Sequence, residues 1–169
     1  MTTTTQLLEQ PFSTMSDMVR AHAQERPAHT AIVDGDRVLT FAEFDALIDR
    51  AAVGLQRDGV DNMGAVAMCG PSSIEYVTVF VAALRIGAAA CPLAPSSTAE
   101  QLAAMVRDCG AGILFVDDNA SAALDTIVEK LAIKCVALEG GANPSFASWL
   151  APQGAKPTPV TIDPDQTFN

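Results

Sequence analysis

Basic residues are scarce in this sequence. Ten lysines and arginines are scattered from Arg20 to Lys156 without a run or stripe, against twenty acidic residues, and the formal net charge is −10. Phosphate contacts need clustered Lys and Arg. The composition therefore argues against a nucleic-acid partner, and an acidity of this kind favours solubility.

A secretory signal and a membrane span are also lacking. Residues 1–11 contain neither the basic nor the apolar block of a signal peptide. The apolar stretch 77–86 is too short to cross a membrane, and glycine and proline bound it on both sides. We therefore expect no membrane span, and we expect residues 1–11 to form a flexible N-terminus.

Cysteine is sparse and lacks the spacing of a metal site. The four cysteines are far apart and form no C-x-x-C pair, and each lies in an apolar run or at a helix end. They are Cys69, Cys91, Cys109 and Cys135. This pattern predicts buried, reduced thiols in a cytoplasmic protein, rather than metal ligands or disulfides.

Phosphate-binding motifs are absent too. Neither G-x-x-x-x-G-K-[ST] nor G-x-G-x-x-G occurs in the chain, so Gly140 and Gly141 are expected to form a loop. His22, on the apolar face of the first helix, is expected to be structural. Asp117 and Asp118 follow a strand, where an α/β site can lie, but they are expected to cap the next helix. We predict no catalytic, cofactor-binding or metal-binding residue.

The stretch 64–95 organises the rest of the chain. The apolar run Ala65–Cys69 ends at a Gly-Pro turn and predicts a buried strand. Ser72, with Glu75 three residues later, predicts the start of a helix that runs to about Ile86. Gly87 is expected to end that helix, and the apolar run 88–91 predicts a parallel second strand. A helix without a polar stripe is buried on more than one side. The side chains expected to be almost wholly buried are Val77, Phe80, Val81 and Leu84.

The flanking segments continue the alternation of helices and strands. Capping boxes predict helices after Thr40 and Thr98, and Thr14, with Asp17 three residues later, is expected to cap another helix. Asp34-Gly35-Asp36 predicts a hairpin, and apolar runs predict strands at 112–116 and 135–138. A further amphipathic helix is predicted from Leu124, Ile127, Val128 and Leu131, and a short helical turn at 146–150. The pattern predicts an α/β domain over residues 12–150, with a largely parallel sheet and flanking helices. Residues 151–169 contain four prolines and little periodicity, which predicts a linker or a truncated connection.

Two segments resemble core motifs of the adenylate-forming ligases. Residues 39–44, LTFAEF, resemble the first core motif, and residues 84–94, LRIGAAACPLA, resemble the second. They lie in the family's order and at a similar separation. The resemblance covers residues 12–168 and is closest to the N-terminal part of an AMP-binding enzyme of the acyl-CoA synthetase or fatty-acid–CoA ligase type.

This resemblance implies an enzymatic parent and an N-terminal subdomain of the ligase fold. The parent would activate a fatty or aromatic carboxylic acid with ATP and Mg²⁺, then transfer the acyl group from the acyl-adenylate to coenzyme A. The family's phosphate loop, which ends in Pro-Lys-Gly, has no match here and would follow a segment like 163–168. The fragment alone is therefore predicted to be inactive.

Two other hypotheses remain open. The chain could be part of an amino-acid adenylation domain or an acyl-AMP ligase, or it could be a non-catalytic α/β interaction module. Because a helix that is apolar all round needs two covering layers, we also expect an apolar surface, with possible self-association of the fragment. The tail 151–169, which has no periodic apolar face, is expected to be mobile.

Overall fold

The computed structural model describes residues 3–124, 133–140 and 144–168. Its elements follow one another along the chain as α1 (Thr4–Leu8), α2 (Met15–Glu25), β1 (Thr30–Asp34), β2 (Arg37–Thr40), α3 (Phe41–Arg57), β3 (Ala65–Cys69), α4 (Ile74–Arg85), β4 (Ala89–Pro92), α5 (Ala99–Cys109), β5 (Ile113–Val116), α6 (Asp118–Leu124), β6 (Lys134–Ala137) and α7 (Phe146–Trp149). The amphipathic helix predicted from Ile127, Val128 and Leu131 lies outside the described residues.

The strands form two separate sheets. β3, β4, β5 and β6 make a parallel sheet in the order β4-β3-β5-β6, which confirms the predicted α/β class. β1 and β2 pair as an antiparallel hairpin, and Gly35 takes a φ of +59° at its turn. Glycine adopts this left-handed conformation without a steric cost.

Local signals set where most helices begin. The predicted N-caps at Thr14, Thr40 and Thr98 are all confirmed, and each is part of a capping box. The N-cap of α4, however, is Ser73 rather than the predicted Ser72, because the turn after β3 extends one residue further. A further box joins Thr3 to Gln6 and starts α1, in the segment for which only a flexible N-terminus was expected.

Helix α4 lies between the sheet and a second helical layer, as the sequence predicts. It packs against β3 and β4 on one side and against α2 and α3 on the other. Val81 and Leu84 are buried as predicted. The prediction is wrong for Val77 and Phe80, which are half-buried, because the side of α4 that carries them is covered only in part.

Successive strand residues point to opposite faces of the parallel sheet. One face carries Val66, Met68 and Phe115 and packs against α3, α4 and α7; we call it the α3–α4 face. The other carries Ala67, Cys69 and other apolar side chains and packs against α5 and α6; we call it the α5–α6 face. Burial on both faces explains why the strands are continuously apolar rather than alternating.

Residues 151–168 run along the domain without regular structure, and polar contacts fasten them to it. The Arg50 side chain donates from Nε to the Ala151 carbonyl at 2.7 Å. The Gln56 amide accepts from the Thr158 N–H at 2.8 Å and donates to the Thr158 carbonyl at 2.9 Å. Near the end, the Ala90 N–H of the edge strand donates to the Phe168 carbonyl at 2.9 Å. The sequence shows no periodic apolar face in residues 151–168, and in the structure hydrogen bonds hold this segment against the domain.

Candidate functional site

The carboxyl ends of the parallel strands meet at one edge of the sheet, which is where α/β proteins commonly bind ligands. Gly70, Asp117 and Leu138 follow β3, β5 and β6 at this edge. A Cβ at Gly70 would lie only 3.0 Å from Leu138 Cδ1 and 3.3 Å from Asp117 Cβ. The chains are therefore in close contact just beyond the strands, and little space remains for a ligand between them.

The charged groups at this edge are mostly acidic. Asp117 Oδ1 accepts from the Ala120 N–H at 2.8 Å, so this side chain caps α6 as expected. Arg37, on the nearby hairpin, bonds to Glu75 at 2.6 Å and also to Asp34, and it lies 3.9 Å from Glu139. Because carboxylates already surround this guanidinium, the edge does not suit a phosphate group.

A cluster of buried charges lies where α2, α3 and α4 meet. The side chain of Asp49 is 1% exposed, and Arg85 Nη1 donates to its Oδ1 at 2.6 Å. Lys156 Nζ donates to Asp49 Oδ2 at 2.5 Å, and Arg20 lies 3.2 Å from Oδ1. Burial alone would raise the pKa of Asp49. The hydrogen bond from Lys156 and the charge of Arg85 outweigh burial, and the pKa lies below its usual value.

The Arg85 guanidinium makes further hydrogen bonds besides the one to Asp49. Its Nη2 donates to Asp45 Oδ1 at 2.6 Å, its Nη1 donates to the Asp45 carbonyl at 3.1 Å, and its Nε donates to Ser16 Oγ at 2.7 Å. We call Ser16, Arg20, Asp45, Asp49, Arg85 and Lys156 the ion cluster. Within the described part of the chain, every buried polar side-chain atom has a partner. The ion cluster is thus complete in itself, and its groups serve to join helices.

A polar cavity of about 390 Å³ borders the ion cluster, between α2 and the tail. Its charged walls are Asp17, Arg20, Asp49, Arg85 and Lys156. Asp17 is committed to the Thr14 cap, and the others are paired within the ion cluster. Each charged side chain in the lining of this cavity is therefore already paired or committed to a cap.

A second cavity, of about 230 Å³, is lined mainly by apolar groups. It lies between the segment before α2, the end of α4 and the end of the tail. Phe12, Met15 and Phe168 contribute to its rim and are 38%, 54% and 63% exposed. The apolar surface expected from the sequence, and the self-association expected from it, stay predictions.

The remaining sequence candidates have structural surroundings. The His22 ring lies 4.8 Å from the Phe41 ring and accepts from Arg26 Nε at 3.2 Å. Burial, followed by the charge of Arg26, lowers the pKa of His22. Cys69 and Cys135 are buried as predicted, whereas Cys91 and Cys109 are only half-buried. Among the residues that the structure describes, no group of three or more His, Cys, Asp or Glu could hold a metal ion.

Comparison with known proteins places this domain in a family. The family described as AMP-binding enzyme matches residues 19–169. The indoleacetate–CoA ligase of Aromatoleum aromaticum is 30% identical over 70% of the chain, and tyrocidine synthase 2 of Brevibacillus parabrevis is 33% identical over 57%. The N-terminal domain of FACL13 from Mycobacterium tuberculosis superposes over 92% of the chain with a TM-score of 0.81 at 23% identity, which shows a shared fold.

The chain belongs to the family of AMP-binding, adenylate-forming enzymes. It spans only part of its relatives: 23% of the indoleacetate–CoA ligase, 3% of tyrocidine synthase 2 and 40% of the FACL13 chain. No helix among the described residues has both the length and the apolar character needed to cross a membrane.

The residues present do not fit the phosphates of ATP. The strand edge where a nucleotide could bind is closely packed at Gly70, and its neighbours are carboxylates. The sequence also has no glycine-rich phosphate loop. The prediction that the chain contains no catalytic or cofactor-binding residue stays a prediction.

Proposed function

We propose that this chain is the N-terminal part of an acid–thiol ligase that activates a fatty or aromatic carboxylic acid as an acyl-adenylate and transfers it to coenzyme A. The family match over residues 19–169 carries the proposal. The similarity to a CoA ligase for an aromatic acid supports the choice of coenzyme A as acceptor. The likeness to a domain of FACL13 supports only the fold.

In this proposal the chain works as a scaffold. ATP with Mg²⁺ supplies the adenylyl group, and coenzyme A supplies the thiol that accepts the acyl group. The residues of this chain build the parallel sheet, and the ion cluster fastens α2, α3, α4 and the tail together. Because the tail bonds to the edge strand through Ala90 and Phe168, the scaffold also fixes the position of residue 168.

A second candidate is an adenylation domain that loads a carrier protein. The 33% identity to tyrocidine synthase 2 over 97 residues favours it. Both candidates share the adenylation half-reaction and differ in the acceptor of the acyl group. We propose a cytoplasmic location for either one, on the pattern of cysteines far apart in sequence.

The test compares the 169-residue chain with the complete translation product of its gene. We expect the chain alone to show no carboxylate-dependent exchange of pyrophosphate into ATP with fatty, aromatic or amino acids. An identical purification from cells that carry the empty expression vector measures any contaminating ligase. Exchange by the chain above that background would overturn the scaffold role.

For the complete product, we expect exchange that depends on a fatty or aromatic acid, and release of AMP on addition of coenzyme A. Exchange that depends on an amino acid, with transfer to a carrier protein, would establish the second candidate instead. Absence of exchange with every acid would contradict both ligase candidates and would favour the remaining hypothesis, a non-catalytic α/β interaction module.

A further inference from the structure

The apolar cavity of about 230 Å³ carries exposed apolar side chains on its rim. Phe12, Met15 and Phe168 are exposed, and Leu84 of α4 contributes a buried side chain to the wall. In the part of the chain that the structure describes, seven large apolar side chains are exposed, and three of them meet at this one cavity. Single exposed apolar side chains are normal, whereas a group of them around a concave surface marks an interaction site.

Hydrogen bonds at the end of the tail fix Phe168 on this rim. The Ala90 N–H of β4 donates to the Phe168 carbonyl at 2.9 Å. Two residues earlier, the Gln166 amide donates to the Gly87 carbonyl, and it also donates to Asn62 Oδ1 at 2.8 Å. The tail therefore reaches the rim in a defined position, and residues that follow Phe168 in a longer protein would start from the cavity.

The lining of the cavity suits an apolar partner rather than a charged ligand. Asp163 is its one charged residue, and the Asp165 N–H donates to Asp163 Oδ1 at 2.9 Å. The polar cavity differs, because charged side chains that are already paired form its walls. Burial of further apolar groups in the apolar cavity would be favourable, and a charged group buried there would lack a partner.

We propose that this cavity is the docking surface for the part of the ligase that follows residue 168, which packs apolar side chains between Phe12, Met15 and Phe168. This inference rests on the proposed function, in which the chain is the N-terminal part of a longer enzyme. The chain covers 40% of the FACL13 N-terminal domain on which it superposes, so more than half of that domain lies outside the matched part. Parts of one domain share an apolar core, and segments that are consecutive in sequence usually lie side by side.

Oxidation by hydroxyl radicals measures access to the cavity. The 169-residue chain and the complete translation product of its gene receive the same treatment, with free methionine added to each sample as a reference, and mass spectrometry gives the rate at each residue. We expect Met15 and Phe168 to be oxidised roughly fivefold more slowly in the complete product, because the core of an interface excludes water. Equal rates in the two proteins would overturn the proposal. A rate in the chain alone that falls as its concentration rises would show that a second copy occupies the cavity instead.

The variant Met15→Asp gives a second readout. Met15 is the first residue of α2, where an acidic side chain is favourable, and it is exposed in the chain alone. The urea midpoint of the 169-residue chain should therefore not fall. In the complete product the new carboxylate would be buried without a partner, and the midpoint should fall by about 1 M. Leu8→Asp, an exposed position on α1 outside the lining of the cavity, is the matched control and should shift both proteins by the same small amount.

The docking surface and the ligase function can fail separately. A complete product that exchanges pyrophosphate with a carboxylic acid, but in which Met15 stays as accessible as in the chain alone, would overturn the docking surface and leave the ligase function standing. Protection of Met15 in a product without exchange would keep the docking surface and contradict the ligase function. Equal midpoints for Met15→Asp and Leu8→Asp in the complete product would also overturn the docking surface. A reading frame that ends at residue 169 would overturn both.

Discussion

The two faces of the parallel sheet are covered to different depths. On the α3–α4 face, α4 lies against the strands, and α2 and α3 lie over α4. On the α5–α6 face, α5 and α6 form one helical layer over a cluster of apolar side chains and thiols. The thicker side buries the ion cluster, with Asp49 and Arg85 almost fully enclosed.

The difference shows how a deep helix accommodates a charged residue. Arg85 is in the last turn of α4, and its side chain is 2% exposed because α2 and α3 cover it. A charge removed from water must find paired partners inside the protein. α3 provides Asp45 and Asp49, and α2 provides Ser16. Residues on the thinner side can turn toward water and need no such partners.

Truncating a side chain at the centre of the α3–α4 face should give the largest loss in the free energy of unfolding. Phe115 is fully buried, and its ring packs edge-on to Trp149 at 4.9 Å. Phe115→Ala should lower the free energy of unfolding by about 3–5 kcal/mol, through lost transfer energy and a cavity. Urea denaturation measures the change. The half-buried Phe80, on the same face, gives the matched control and should lose less, and an equal loss in Phe80→Ala would show that the degree of burial does not set the cost.

Removing one charge from the ion cluster should give the next largest loss of stability. Asp49→Asn keeps the shape of the side chain but leaves the buried Arg85 with Asp45 as its remaining carboxylate. Loss of one partner of a buried ion pair costs about 3–5 kcal/mol, and the second carboxylate should keep the loss near about 3 kcal/mol. Asp36→Asn, at the exposed hairpin tip, should stay within about 0.5 kcal/mol. Equal stability of the two variants would mean that the ion cluster contributes nothing.

Asp49→Asn should also change how the stability of the chain depends on pH. Because the pKa of Asp49 is lowered in the folded chain, its stabilisation is present above the ordinary aspartate pKa of about 3.9 and is lost as the pH falls through the lower folded value. From about pH 5 downward, the unmodified chain should therefore lose stability more steeply than Asp49→Asn. Urea denaturation over a pH series measures both slopes, and parallel curves would contradict the assignment.

Local sequence signals account for much of the fold. The caps at Thr14, Thr40 and Thr98 and the apolar run at 65–69 each depend on residues within one turn or one strand, and each gave the right element. At Ser72 and Ser73 the local pattern chose wrongly, because the capping-box spacing to Glu75 favours Ser72 whereas Ser73 caps the helix.

The ion cluster could not be predicted in this way. Its members come from four separate segments, around Ser16, Asp49, Arg85 and Lys156, and only packing brings them together. The hydrogen bonds that fasten the tail could not be predicted for the same reason, because Gln56 and Thr158 are far apart in sequence. For the functional site, the sequence motifs pointed to the family that the comparisons show, and they pointed to no catalytic residue.

Gly54 allows a further test of the packing on the α3–α4 face. It lies inside α3, where alanine is normally preferred by about 1 kcal/mol. A Cβ there would lie 2.8 Å from Trp149 Cζ2 and 2.9 Å from Cη2, and Trp149 is buried. Overpacking costs about 1–3 kcal/mol, so Gly54→Ala should lower the free energy of unfolding by roughly 1 kcal/mol in spite of the better helix propensity.

Trp149 is the single tryptophan of the chain, so its fluorescence reports directly on the contact. In Gly54→Ala, the emission should shift as the indole moves away from Asp58, to which its Nε1 donates at 2.6 Å. The double variant Gly54→Ala, Trp149→Phe should be no less stable than Trp149→Phe alone, because the clash is gone. Additive losses in the double variant would place the cost somewhere other than this contact.

The smallest effect should be found where the tail crosses α3. Gln56→Ala removes both hydrogen bonds to Thr158 but leaves the exposed helix surface otherwise unchanged. A single hydrogen bond contributes about 1 kcal/mol, which predicts roughly fivefold faster hydrogen exchange at the Thr158 amide. Global stability should change by less than about 0.5 kcal/mol, since few apolar contacts depend on the tail. Gln24→Ala, an exposed glutamine on α2, is the matched control and should leave that amide unchanged. Equal exchange at Thr158 in both variants would show that the tail is held by Arg50, Lys156 and Asn62 without help from Gln56.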